Sequence, residues 1–200
     1  MTRRWSSAVV VALFWTGMAV AGASAETARY DVDPDHSNIG FSVGHMVVSK
    51  TRGQFMDYTG FIEMDPDAKT VKTIEAIIKS ASITTNHQKR DAHLKSPDFF
   101  DVEKYPTITY KLKSYSKTGD HYTALGDLTL HGVTKEVALV GDFNGVGKDP
   151  WGNTRAGFTA EGTVNRKDFG VNWNKALDNG GMIVGNDVQI KLEVECIKAK

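Results

Sequence analysis

Apolar residues recur along most of this chain with a period of two. The last segment is the clearest, with Val188, Ile190, Leu192, Val194 and Cys196 alternating with Gln189, Lys191, Glu193 and Glu195. One apolar face and one charged face predict a strand of an antiparallel sheet that is wet on one side. Cys196 falls on the apolar face, where a thiol acts as a small buried hydrophobe; a reactive or intermolecular thiol is the alternative. The same alternation carries Ile39, Phe41 and Val43; Ile108, Tyr110 and Leu112; Tyr122, Ala124, Leu128 and Leu130; Val137, Leu139 and Phe143; and Phe158, Ala160, Gly162 and Val164. Residues 54–64 and 73–83 also read as strands, but with apolar residues on both faces. In the first, Phe55 and Phe61 face one way while Met56, Tyr58, Ile62 and Met64 face the other. That predicts a cover over the outer face, from a helix, a partner chain or the neighbouring end of the sheet.

Turn residues punctuate the strands at Asp65-Pro66-Asp67, Thr118-Gly119-Asp120, Gly145 through Gly152 and Asp178-Asn179-Gly180-Gly181. Helical signal is confined to 88–95, ending before Ser96-Pro97, and to a turn over 175–177. About eight strands with so little helix leave a sandwich or an up-and-down barrel. Gly40, Gly60, Gly126 and Gly162 sit mid-strand, where a sheet bends sharply or a guest approaches the backbone, and so favour the barrel. An eight-stranded barrel is just wide enough to be filled by side chains or to hold one slim ligand.

Residues 1–25 break the pattern. Arg3 and Arg4 are their only charges, an apolar run of 13 residues extends from Ala8 to Val20, and Ala23-Ser24-Ala25 precedes Glu26. This reads as a secretory signal peptide cut after Ala25, leaving 26–200 as one domain in the periplasm or outside the cell. As a helix the run reaches roughly 20 Å, short of the ~30 Å hydrocarbon core, so no stable membrane span is expected. Arg3-Arg4 admits the twin-arginine route beside general secretion, although Trp5-Ser6-Ser7 lacks the usual sequel. The chain balances 24 Lys+Arg against 24 Asp+Glu, which argues against a nucleic-acid partner. A single cysteine cannot form an intrachain disulfide, so the exported domain must hold by its own core.

No catalytic constellation emerges. There is no G-x-S-x-G elbow. Gly145-Val146-Gly147-Lys148 only superficially resembles a phosphate loop, with Asp142 at the earlier glycine position and Asp149 where Ser or Thr should follow the lysine. The histidines (His36, His45, His87, His93, His121 and His131) form no H-x-H or helical pair, so neither a metal nor a cofactor is expected. Arg90-Asp91 reads as a loop brace; alternatively Arg90 and His93 face an opening and meet an anionic or polar head group.

Several of these residues fall into an ordered set. It runs Asp33-x-x-His36-Ser37, Phe41-x-Val43-x-His45, Gly53-x-Phe55, Thr85-x-x-x-x-Arg90-Asp91-x-His93-Leu94, Phe99-Phe100 and Tyr105-Pro106-Thr107-Ile108. It continues with Gly126-x-Leu128-Thr129-Leu130-His131-Gly132-Val133-Thr134, Arg166-x-x-Phe169-Gly170 and Val184-Gly185-x-x-Val188. Over residues 28–197 this order resembles the YceI family of exported bacterial lipid-binding proteins. The resemblance implies an all-β fold, an extended lipocalin-like antiparallel β-barrel of about eight strands with one or two short helices. It also implies a polyisoprenoid or similar long-chain lipid held in an apolar tunnel, a periplasmic or secreted location, and a homodimer as a common assembly. It carries over no catalytic residue.

The expected tunnel wall is Phe41, Val43, Phe55, Ile78, Tyr110, Leu128 and Phe158, with His45, Arg90 and His93 at a polar mouth. The aromatic residues could equally plug a solid barrel. The function expected is a carrier, store or sequestering protein for the lipid. The alternatives are an enzyme acting on a lipid in the same tunnel, with His45, His93 or His131 as acid/base, and an interaction module whose cavity is incidental.

Overall fold

The computed structural model describes residues 26–200 apart from Val47, Asp120 and Asn179. The leader expected at 1–25, with its cleavage point, lies outside the described residues. The strands are β1 (Ala28–Val32), β2 (Asn38–His45), β3 (Ser49–Phe55), β4 (Tyr58–Asp65), β5 (Thr70–Lys79), β6 (Ile83–Thr84), β7 (Thr107–Thr118), β8 (His121–Leu130), β9 (Val133–Lys148), β10 (Thr154–Asn165) and β11 (Val184–Lys198). One α-helix, α1 (Gln88–Lys95), lies between β6 and β7, and 3₁₀ turns form at Pro34–His36, Ser80–Ser82 and Arg166–Phe169. The turn expected over 175–177 is not helical; Ala176 instead bridges Met182 in an irregular connection.

All strands join one antiparallel sheet in the order β1-β4-β5-β7-β8-β9-β10-β11-β2-β3-β6, and β1 closes onto β11. Six of the strands are halves of three bent staves. β11 pairs β1 through Cys196–Lys198 and β2 through Val184–Glu193, so β1 and β2 form one stave broken at Pro34–His36. β4 and β3 face those halves in turn, and β5 and β6 follow them. The result is a closed barrel of eight staves.

The bends account for the two-sided apolar runs. β3 ends at Phe55 and β4 begins at Tyr58, so the chain changes phase at Met56-Asp57. Phe55, Tyr58, Ile62 and Met64 are all buried inside, whereas Met56 is exposed. Phe61 stays on the outer face under the guanidinium of Arg29, 3.7 Å from its ring centroid. The 3₁₀ turn at Ser80–Ser82 likewise brings Ile83 inward after Ile74 and Ile78, leaving Ile77 outside. The covering element expected from the sequence is therefore not what these faces require.

Two further expectations shift. Gly145 through Gly152 is not all turn: β9 continues to Lys148 and the hairpin occupies 149–153, pinned by Asp149 accepting from the amides of Trp151 and Asn153. The mid-strand glycines admit neighbouring atoms of the barrel itself. A Cβ on Gly126 would lie 2.6 Å from Cζ of Tyr110, and one on Gly162 would lie 2.8 Å from Cδ2 of Leu139.

Candidate functional site

The barrel is hollow. Its inner face encloses a cavity of about 310 Å³, within the range of small-ligand pockets, about 300–1,000 Å³. At one end the cavity meets Val184, Val171 and Arg166, and at the other Val71, Tyr115 and Tyr122. Beyond the second end, Tyr30, Ile62, Met64, Ala156 and Cys196 pack into a separate core cluster.

Alternation along the strands places the wall. Phe41, Val43, Phe55, Ile78, Tyr110, Leu128 and Phe158 all line the cavity. Register joins several of them: Ile78 lies opposite Ile108 and Tyr110 opposite Leu128. Phe41 and Phe55 approach with ring centroids 5.9 Å apart, and Phe143 packs on Phe158 at 5.4 Å. Tyr110 turns its hydroxyl into the wall, donating to the carbonyl of Ala124 at 2.9 Å. Burial pushes the phenols of Tyr110 and Tyr115 up to about 12, so both stay neutral in the physiological range.

The end near α1 is closed by local structure. β6 pairs with β3 but not with β7, and Leu94, Phe99 and Phe100 fill that side of the cavity. Phe100 packs edge-on against Phe55, centroids 5.8 Å apart. His87 caps α1 by accepting from the Arg90 amide. Asp91 accepts from the Thr85 amide at 2.8 Å and from the hydroxyls of Thr84 and Thr85, while Arg90 donates to the Thr85 hydroxyl at 2.7 Å and its carbonyl at 3.1 Å. Arg90-Asp91 is thus a brace around Thr85.

None of His45, Arg90 and His93 lines the cavity. His45 is half-buried at the end of β2. Arg90 is exposed and holds Thr85 through Nε and Nη2. His93 binds Asp98 at 2.8 Å and wedges edge-on against Phe99 and Trp173.

Among the described residues, the cationic one that borders the cavity is Arg166. It opens the 3₁₀ turn after β10, where Asn165 caps the turn and Gly170 ends it at φ 78°. It is 4% exposed. Its Nε donates to the Gly185 carbonyl at 2.8 Å and its Nη1 to the Val171 carbonyl at 2.7 Å. Burial lowers its pKa. The sequence signal for it was the alternation of Phe158, Ala160, Gly162 and Val164, which reaches Arg166 when carried one step further.

Elsewhere, polar clusters are internally paired. Asp33, His36 and Glu195 converge within 4.8 Å, but Arg155 already bridges Asp33 and Glu195 and also binds Asp149 at 2.8 Å. His36 binds Asp33, His121 binds Asp142, and the His131 ring sits 3.2 Å from the Phe169 carbonyl. No helix among the described residues is long and apolar enough to cross a membrane.

Comparison with known proteins agrees with this architecture. The YceI-like domain family matches residues 30–196. A UPF0312 protein of Photorhabdus laumondii is 42% identical over 173 residues, covering 86% of this chain and 88% of its own. The crystal structure of the Campylobacter jejuni YCEI protein is 32% identical, with a TM-score of 0.67 over 78% of this chain and 90% of that one. A polyisoprenoid binding domain from Saccharophagus degradans superposes with a TM-score of 0.60 over 87% of this chain and all of its own, at 13% identity, a likeness of fold alone. A closed eight-stave barrel, a family match from Tyr30 to Cys196 and relatives aligned over most of both chains place this protein in the YceI-like family.

Proposed function

We propose that this protein is exported and holds a long-chain isoprenoid or similar lipid inside the barrel, as a carrier, store or sequestering protein. The observation that carries the reading is the apolar cavity of about 310 Å³ running along the barrel interior. Membership of the YceI-like family and the shared fold with a polyisoprenoid binding domain support it. The leader-like residues 1–25 support export.

The energetics suit such a guest. Each buried CH₂ stabilises by about 0.8 kcal/mol, so ten give roughly 8 kcal/mol, about micromolar affinity before costs. Association and chain ordering raise the requirement to roughly 15–20 carbons. A wall of side chains with neutral phenols needs no polar network to retain such a chain. The reading assigns no catalytic step; His36, His93 and His121 are ion-pair partners, His87 is a cap and His131 packs on Tyr105.

The test is extraction. The full chain is expressed in a Gram-negative host, purified from the periplasm without detergent, extracted with organic solvent and examined by mass spectrometry. A long-chain lipid in near-stoichiometric amount is expected. Protein found only in the cytoplasm would overturn the export reading. Lipid-free protein that also fails to take up any prenyl or acyl chain would overturn the carrier reading. Light scattering on the same material tests the homodimer.

A further inference from the structure

We infer that Arg166 is the head-group site of this cavity, and that the preferred guest is a long-chain lipid ending in an anionic oxygen, a carboxylate or a phosphate. The inference rests on the lipid-binding reading and specifies its ligand.

Five N–H groups radiate from a guanidinium. In Arg166, Nε and Nη1 are engaged by the carbonyls of Gly185 and Val171, at 2.8 and 2.7 Å. Nη2 is buried and has no hydrogen-bond partner among the described residues. The two engaged acceptors are neutral, and Arg166 forms no ion pair among the described residues. The acidic residues that border the cavity are committed elsewhere: Glu75 binds Lys111 at 3.1 Å and Asp142 binds His121 at 2.8 Å. A guanidinium does not shed its proton in a protein, so the fold holds a desolvated cation without a counterion on the wall of an apolar chamber.

That arrangement is costly for a folded protein to keep. It becomes favourable when a ligand brings the missing charge. Folding has already stripped the arginine of water and fixed it through two carbonyls, so an incoming anion meets a preorganised donor. A neutral carbonyl or hydroxyl would satisfy the Nη2 hydrogen bond and leave the charge unmatched. A bare hydrocarbon end would satisfy neither. The site also orients the guest. Arg166 sits at the end shared with Val184 and Leu94, so the head group lies there and the tail runs toward Phe158 and Tyr115.

The test compares guests that differ only at the head. Delipidated protein is loaded with the neutral probe N-phenyl-1-naphthylamine, which is displaced by oleate or oleyl alcohol, and by geranylgeranyl monophosphate or geranylgeraniol. The wild-type protein should bind the anionic member of at least one pair about tenfold or more tightly than its neutral partner, the scale of a charge-assisted hydrogen bond. The pair with the larger ratio identifies carboxylate or phosphate as the source. Arg166→Met should bring that ratio close to one while the neutral chain still binds; Arg166→Lys should retain part of it. A merely structural role would weaken both members alike and leave the ratio unmoved. Equal wild-type binding of anionic and neutral guests overturns the head-group inference and leaves the carrier reading standing, as does a ratio that survives in Arg166→Met. Failure of all four guests to displace the probe overturns both. Should Arg166→Met fail to fold, the wild-type ratio and Arg166→Lys still decide.

Discussion

Whether the barrel is hollow or merely loosely packed can be decided by the sign of one substitution. Ala124 lies on β8 with its side chain on the cavity wall, opposite Tyr115 on β7 and Leu139 on β9. Ala124→Leu adds three carbons toward the axis. If the space is empty, their burial contributes up to ~2.4 kcal/mol, less about 0.5–1 kcal/mol for the ordered leucine. The lipid-free protein should therefore gain about 1.5–2 kcal/mol, or roughly 3–8 °C in Tm for a domain of this size. If side chains already meet across the axis, the same carbons overpack the core and cost about 1–3 kcal/mol. Lipid affinity should move the other way, because the leucine takes room the guest needs. The assay is thermal unfolding after exhaustive delipidation, since bound ligand would itself raise Tm, followed by probe displacement with a long prenol. Ala138→Leu, on the exposed outer face of β9, is the control for added bulk alone. A lower Tm in Ala124→Leu with unchanged lipid affinity would refute the reasoning.

Three further outcomes follow from local contacts. Gly126→Ala would place a Cβ 2.6 Å from both the Lys111 carbonyl and the Tyr110 ring, so urea titration should find a loss of about 1–3 kcal/mol or more; unchanged stability would remove the slot assigned to Tyr110. Burial raises the Asp149 carboxyl, but hydrogen bonds from Arg155, Asn153 and Trp151 outweigh it and hold the group well below the usual carboxylate range. Its stabilising contribution is therefore complete above the unfolded value of about 3.9 and is lost as pH falls toward the folded one. Asp149→Asn should lower stability at pH 7 and flatten the decline below about pH 4; a parallel pH profile would exclude Asp149 as its source. Cys196 is fully buried and its thiol is pushed up to about 12 by desolvation. A thiol reagent should label it only when the barrel opens, in step with global unfolding, and fast labelling of the native protein would contradict that placement.

Period-two alternation made the wall legible because a β-strand sends every second side chain to the same face. Phe41, Val43, Ile78, Tyr110, Leu128 and Phe158 each reach the cavity on that rule alone. The rule failed where a stave bends. Nothing in Phe55-Met56-Asp57-Tyr58 announces a change of phase, since the bend is set by pairing with a strand distant in sequence. Hence one bent stave read as a strand with two apolar faces. The polar residues His45, Arg90 and His93 do not line the cavity. His93 and Arg90 stand beside aromatic residues in the sequence, but Asp98 and Thr85 lie close enough along the chain to claim them. Among the described residues Arg166 has only carbonyl hydrogen-bond partners, and its alternation with Val164 is what points to it in the sequence.

The hollowness itself was the least legible property, and the glycines explain it. An aromatic ring on the inner face of a barrel can reach across the axis and fill it, or lie back along the wall. The second choice needs a gap beside it on the adjoining strand. Gly53, opposite Phe41, and Gly126, next to the Tyr110 ring, supply such gaps, and Gly162 does the same for Leu139. In each case a Cβ would collide with the side chain that now occupies the space. Tyr110 is further held there by its hydrogen bond to Ala124. Glycines facing bulky inner residues on neighbouring strands therefore mark a barrel that keeps its axis open. Alternation alone could not separate that barrel from a filled one, because both bury the same residues.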